Sequence, residues 1–247
     1  MSRIRVVTWN VHGFVGTDGV LDVDRVAGVL RELDADIVGL QEVDRRATLA
    51  DGTDRLERVC TLTGHHATFG PTARLPLGRF GNALLTRRPV TNVEHFDVSM
   101  GSWEPRGILS ADLSVGDALL RVIVTHFGLR VAERRAQLEK LLDLVGTTSD
   151  GPVLLVGDFN EWRPKAYVLS RLHAALGRAP RVLSYPSRFP LLALDRVWVR
   201  PETALVELST YRKGSARVAS DHLPVAAVVD LALLPQTLPR ADHDRRG

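Results

Sequence analysis

Val153-Leu154-Leu155-Val156-Gly157-Asp158-Phe159-Asn160 is a four-residue apolar run that stops at a glycine and then presents a carboxylate and an amide two positions apart. A short apolar run bounded by turn residues reads as a buried strand. Upstream, Thr147-Thr148-Ser149-Asp150-Gly151-Pro152 is a turn cluster. Before it, Val131, Leu138, Leu141, Leu142 and Val145 among charged neighbours predict an amphipathic helix over 131–145. Before that helix, Leu119–Thr125 reads as a strand ending at His126. The order is strand, helix, strand, with a polar residue wherever a strand stops.

The same grammar opens the chain. Ile4–Trp9 is a β-branched and aromatic run that ends at Asn10, followed by a loop containing Gly13, Gly16 and Gly19. Asp22 or Asp24 is placed to cap a helix whose Val26, Val29, Leu30 and Leu33 follow i, i+3, i+4, i+7 and which closes at Asp34 and Asp36. Ile37–Leu40 then runs into Gln41-Glu42. Ala83–Leu85, Ile108–Leu113, Val197–Val199 and Val225–Val229 are further strands. Pro164 suits the first turn of another helix over about 165–176. No composition break or low-complexity linker interrupts this succession, so one α/β domain over 1–235 is expected, with an apolar-poor, frayed tail at 236–247.

Composition excludes several classes. Apolar residues at 45% and charged residues at 25% rule out a disordered chain, and 247 residues suffice for a sizeable core. Cys60 stands alone, which excludes an internal disulfide and fits a reducing compartment. A net charge of +3 slightly favours an anionic partner without making a basic stripe. The amino terminus carries no apolar signal segment, and Leu223–Leu234, broken by Pro224 and Asp230, is too short to span a bilayer. A cytoplasmic protein with no transmembrane segment and no obligate protein partner is expected.

Polar residues gather at strand ends: Trp9-Asn10, Gln41-Glu42, Gly81-Asn82-Ala83, Thr125-His126, Gly157-Asp158-Phe159-Asn160, Leu194-Asp195-Arg196-Val197 and Ser220-Asp221-His222. Singly, each is an ordinary turn or cap. In this order they resemble the endonuclease/exonuclease/phosphatase superfamily, with the resemblance running from residue 4 to about 230 and Gly157–Asn160 and Ser220–His222 its most specific pieces. The resemblance implies a four-layered αββα sandwich of two packed mixed sheets flanked by helices. It also implies metal-dependent hydrolysis of a phosphoester, most simply a phosphodiester in a nucleic acid, a phospholipid or a small phosphate ester.

Such chemistry brings water to phosphorus and balances charge on the equatorial and leaving oxygens. Magnesium, with manganese as a substitute, prefers carboxylate, carbonyl and water oxygens. Glu42 is the natural anchor, with the amide oxygen of Asn10 beside it; by resemblance Asp221 serves the metal side. Asp158 and Asn160 share one face if their segment stays extended. The resemblance gives Asp158 the attacking water or leaving oxygen and Asn160 a donation to nucleophile or phosphate. It places His222 at the phosphate, paired with Asp195, and His126 at the transition-state oxyanion. Either Asp158 or the His222–Asp195 pair activates water, and Asp158 is preferred. Asn82 supports the phosphate side. Arg106 either forks a phosphate or pairs with Glu104, and Arg79 and Phe80 meet substrate or solvent.

Three features fit less simply. His12 stands where repair-type members commonly carry an acidic residue, so no second metal ligand is expected there. The Arg-rich stretch 133–135 reads as a solvated helix face. Phe189 and Leu191, in Tyr185–Leu192, reach a lipid or base if exposed, but burial under the sheet is the expectation. A catalytically inactive binding module keeping the same fold is the alternative function. The presence of Glu42, Asp158, Asn160, Asp195 and His222 argues against it.

Overall fold

A computed structural model describes residues 3–45, 48–75, 78–116, 118–147 and 151–235. The tail expected at 236–247 and the side chain of Arg79 lie outside what is described.

Two β-sheets pack face to face. The first has strand order β10-β11-β1-β2-β4-β3, built from β1 (Arg3–Asn10), β2 (Ile37–Asp44), β3 (His66–Leu75), β4 (Gly78–Thr86), β10 (Leu205–Thr210) and β11 (Val225–Asp230). The second has order β5-β6-β7-β8-β9, from β5 (Thr91–Asp97), β6 (Gly107–Val115), β7 (Ala118–His126), β8 (Val153–Asp158) and β9 (Asp195–Arg200). Both are mixed: β1 and β2 run parallel, as do β7 and β8, while their outer neighbours run antiparallel. The strands alternate, so one face of each sheet meets the other sheet and the other face meets helices.

Val6, Ile37 and Leu84 of the first sheet meet Leu109, Val122, Val124, Leu154, Val156 and Val197 of the second in a central core. Val7, Trp9, Val38 and Leu40 face outward against α1 (Val23–Leu33) and α2 (Arg55–Thr63). On the opposite side Ile123, Leu155 and Trp198 are covered by α3 (Val131–Gly146) and α4 (Tyr167–Leu176). The result is the expected α/β/β/α sandwich. Gly39 lets the sheets close: a Cβ there would stand 2.4 Å from Val156 Cγ2.

Local chemistry explains the element ends. Asp22 caps α1 by accepting from Arg25 N, and Asp34 closes it in the left-handed region. The helix expected from 165 begins instead at Tyr167 with Ala166 as its N-cap, so Pro164 precedes the helix rather than opening it. β3, β5, β10 and α2 went unpredicted; β5, exposed along nearly its whole length, has no apolar alternation to betray it.

Two burial expectations are corrected. Arg134 is buried, donating to Glu161 Oε2 at 3.0 Å and to the carbonyls of Gly128 and Leu129. Beside it Glu133 is buried too, so 133–135 is not a solvated face. Phe189 and Leu191 do not lie under the sheet; they are 77% and 69% exposed.

Candidate active site

The ends of β7, β8 and β9 are in register, His126 opposite Asp158 and Asp158 opposite Asp195. β1 of the facing sheet delivers Asn10 to the same end, where its amide reaches Asp158. Gly157 is required because a Cβ there would lie 2.1 Å from the Thr125 carbonyl oxygen, in the pairing that sets Asp158 beside His126.

Asn10 links the two sheets. Its Nδ2 donates to Glu42 Oε1 at 2.9 Å and to Asp158 Oδ2 at 3.2 Å, while its Oδ1 accepts from His12 N at 3.0 Å. Glu42 lies where the β2–β4 register shifts between Leu40 and Val43, and its φ is +56°. A bulge of this kind re-aims a side chain, and a non-glycine residue there carries strain that clusters at functional sites. His12 also has a positive φ, +46°. Its half-exposed ring lies with Nδ1 3.7 Å from Glu42 Oε2 and 3.5 Å from Asp221 Oδ1. His12 thus belongs to the cluster, although its place two residues after Asn10 gives no sign of it in the sequence.

Asp158 and Asn160 are not two residues of one extended face. The strand ends at Asp158, and Asn160 turns into the left-handed region at φ +50° with its N–H donating back to Asp158 Oδ1 at 2.9 Å. Both amide hydrogens of Asn160 are engaged within the protein, to the Phe127 carbonyl at 2.9 Å and to His126 Nε2 at 3.1 Å. His126 is therefore an acceptor at Nε2. Burial, then the charges of Arg106 and His222, holds its pKa well below the usual imidazole value, so it is neutral.

His222 has the opposite character. Its Nδ1 donates to Asp195 Oδ2 at 2.8 Å, and its Nε2 lies 3.7 Å from Asp158 Oδ2. Burial opposes its charge, but the carboxylates of Asp195 and then Asp158 outweigh that, raising its pKa to about 10. Asp158 is pushed up to about 6 by burial, against the pull of His222 and with a further push from Asp195. Ser184, which sequence pattern gave no reason to single out, donates to the same Asp195 oxygen at 2.5 Å. Ser220 Oγ donates to the Asn10 carbonyl at 2.7 Å, and Trp9 Nε1 to the His222 carbonyl at 2.9 Å, joining the last motif to the first strand.

Asn82 and Arg106 stand one step away. Asn82 Nδ2 donates to the Gly107 carbonyl at 2.9 Å. Arg106 is buried and forked onto Glu104, at 2.7 and 2.9 Å, so the expected Glu104 pair is present. Among the described residues neither bonds to the carboxylate cluster.

Asp158, Asp195 and His222 offer donor atoms within 4.8 Å of one another, but His222 keeps its proton and spends Nδ1 on Asp195. That triad is a proton network rather than a cage. The oxygens of Glu42, Asn10 and Asp221 are a harder set, and the Glu42 and Asp158 carboxylates already converge on one amide NH2 group. Carboxylate and amide oxygens are the hard donors that a hard divalent cation takes.

Comparison with known proteins agrees with this geometry. Residues 7–222 match the model of the Endonuclease/Exonuclease/phosphatase family, and the chain belongs to that family. It is 34% identical to the uncharacterized protein YbhP of Escherichia coli K12, over 92% of this chain and 96% of that one. It resembles the crystal structure of an endonuclease/exonuclease/phosphatase from Beutenbergia cavernae, with a TM-score of 0.75 and 26% identity over 94% of this chain and 72% of that one. The human Nocturnin catalytic domain, solved with bound sulfate, shares the fold at a TM-score of 0.69 and 20% identity, covering 92% and 93% of the two chains. Membership implies hydrolysis of the nuclease or phosphatase type on phosphoester substrates, usually dependent on a divalent metal.

Proposed function

We propose that this protein is a magnesium- or manganese-dependent phosphodiesterase that directs water at phosphorus. The observation that carries the reading is the geometry of the buried network: His222 Nδ1 lies 2.8 Å from Asp195 and Nε2 3.7 Å from Asp158, carboxylates that outweigh its burial and favour the cation, while burial pushes Asp158 up to about 6. A base is most effective when its pKa lies near the working pH, and a histidine that keeps its proton to about pH 10 cannot serve as one. Asp158 takes the proton of the attacking water. His222 offers its remaining Nε2–H and its positive charge to the equatorial oxygens, with Asp195 and Ser184 fixing its ring. Neutral His126, held by Asn160, offers its remaining N–H to the oxyanion. Asn160 serves by positioning His126, because its own donors are spent.

Glu42, Asn10 and Asp221 would hold the cation, which supplies Lewis-acid charge and orients the phosphate. Asn82 and Arg106 stand on the phosphate side, Arg106 exchanging Glu104 for substrate. The substrate is a phosphate ester of a nucleic acid, a phospholipid or a small molecule, and the site of action is the cytoplasm. Among the described residues no helix is long and apolar enough to cross a membrane. A catalytically inactive binding module has no reason to retain an isolated cationic histidine between two buried carboxylates.

The experiment is hydrolysis of bis-p-nitrophenyl phosphate, plasmid DNA, abasic duplex and phospholipid vesicles with magnesium or manganese. Turnover that stops on chelation and returns with the metal is expected. Turnover that persists in chelator contradicts the reading.

A further inference from the structure

We propose that the loop carrying Phe189 and Leu191 seats this protein on an anionic phospholipid surface, so that the ester it cleaves is one displayed in a lipid headgroup. The proposal rests on the phosphoesterase reading above and names its substrate class.

The loop is built to stay out. Tyr185 and Leu192 close it through Leu192 N to the Tyr185 carbonyl at 2.8 Å and Tyr185 N to the Leu192 carbonyl at 3.1 Å. Ser187 N donates to the Asp221 carbonyl at 2.7 Å, and Ser187 Oγ to the Arg217 carbonyl at 3.0 Å. A segment tied down at so many points has no freedom to fold its apolar tip inward, yet Phe189 and Leu191 are among the most exposed large apolar side chains described. Exposed apolar groups set on a rigid frame mark an interaction surface.

Its position fits that use. At the base of the loop the Tyr185 ring lies 4.8 Å from the His222 ring, and four residues of chain, at most about 14 Å, separate Tyr185 from Phe189. The loops leaving β7 and β8 rise from the same sheet end, because His126, Asp158 and Asp195 are in register. They too carry apolar tips, Leu129 at 70% and Trp162 at 45% exposed. The buried Arg134–Glu161 pair locks those two loops together. Exposed apolar side chains therefore stand on the loops that leave these strand ends and on the loop whose base packs against His222.

Charge and side-chain type select the partner. Arg188 and Arg217 are exposed beside Phe189, with Arg217 Nη1 donating to the Arg188 carbonyl at 3.1 Å, and Arg163 lies over the Trp162 ring. Apolar groups interleaved with arginines suit the boundary between acyl chains and anionic headgroups. Phe189 and Trp162 offer faces on which a base can stack, but Leu129 and Leu191, each more exposed than Trp162, offer none, and an acyl surface accommodates all four.

The test is sedimentation of the full chain with vesicles of phosphatidylglycerol and phosphatidylcholine in equal parts, against pure phosphatidylcholine vesicles and a single-stranded oligonucleotide. Binding to the anionic vesicles is expected to fall at least about tenfold in Phe189→Ser/Leu191→Ser and about as far in Arg188→Glu/Arg217→Glu. Both variants should hydrolyse bis-p-nitrophenyl phosphate within about twofold of the parent, which also reports folding. Wild-type protein that ignores anionic vesicles, binds them undiminished in both variants, or binds only the oligonucleotide overturns the proposal. An active enzyme that ignores vesicles overturns docking alone, whereas a vesicle-binding protein inert on every ester overturns the phosphoesterase reading instead.

Discussion

The cluster around Asp158 and the base of the loop around Phe189 both meet His222, and each region departs from ordinary burial in the opposite direction. Asp158, Asp195 and His222 are almost wholly buried though they ionise, while Phe189 and Leu191 are exposed though they are apolar. Burying charge is costly unless the charges are paired, and here they are: one imidazolium serves two carboxylates. Exposing two large apolar side chains forgoes the main driving force of folding. The fold tolerates both because rigid backbone surrounds each, strand ends in the first case and a hydrogen-bonded loop in the second. One region spends stability on chemistry, the other on reaching a surface.

The comparison can be broken most severely at the buried side. Asp158→Asn keeps the shape but removes the base and half the counter-charge of His222; a loss of about 10³-fold in the rate of diester hydrolysis is expected, read by steady-state kinetics. Retention of more than a tenth of the activity would place the base elsewhere. Arg134→Met removes one of two cations from buried Glu161 and leaves it forked by Arg163, so urea unfolding should show a loss of about 1–3 kcal/mol, less than an unpaired buried charge would cost. A loss below about 1 kcal/mol would mean that the loops carrying Leu129 and Trp162 are held by other contacts.

The pH dependence sharpens the same contrast. Activity should rise as Asp158 ionises near pH 6 and decline as His222 loses its proton near pH 10. For stability the sign follows from His222, whose pKa is raised on folding from 6.5 to about 10. Its contribution is complete below about 6.5 and is lost as the pH climbs through 10. The melting temperature should therefore fall between pH 7 and 10, and the slope should flatten in His222→Gln. The smallest effect is expected from Ser184→Ala, which removes one hydroxyl donor from Asp195; a loss of about 0.5–1.5 kcal/mol in urea unfolding should result, while His222, facing a more basic carboxylate, should hold its proton at least as tightly.

Much of the site was legible because the chemistry falls where apolar runs stop. Asn10, His126, Asp158 and Asp195 each end or begin a strand, Glu42 lies two residues before the end of β2 and His222 three residues before β11, and a strand end is visible as a change from apolar to polar. Contacts between distant segments were not. Ser184 reaches Asp195 from an irregular loop with no periodicity, and His12 enters the cluster through a left-handed turn that its spacing from Asn10 does not announce. Arg134 resembled a solvated cation because its partner Glu161 lies 27 residues away. Phe189 and Leu191 resembled core residues because apolar character normally decides burial, and only the loop's own hydrogen bonds hold them outside.

What sets this site apart is a His222 kept as a cation between Asp195 and Asp158. Heteronuclear NMR titration of the His222 imidazole reads it directly. The expected result is an imidazole that stays protonated through neutral pH and titrates near 10, falling markedly in Asp195→Asn. Titration near 6.5 in the unmodified protein, unmoved by Asp195→Asn, would contradict it.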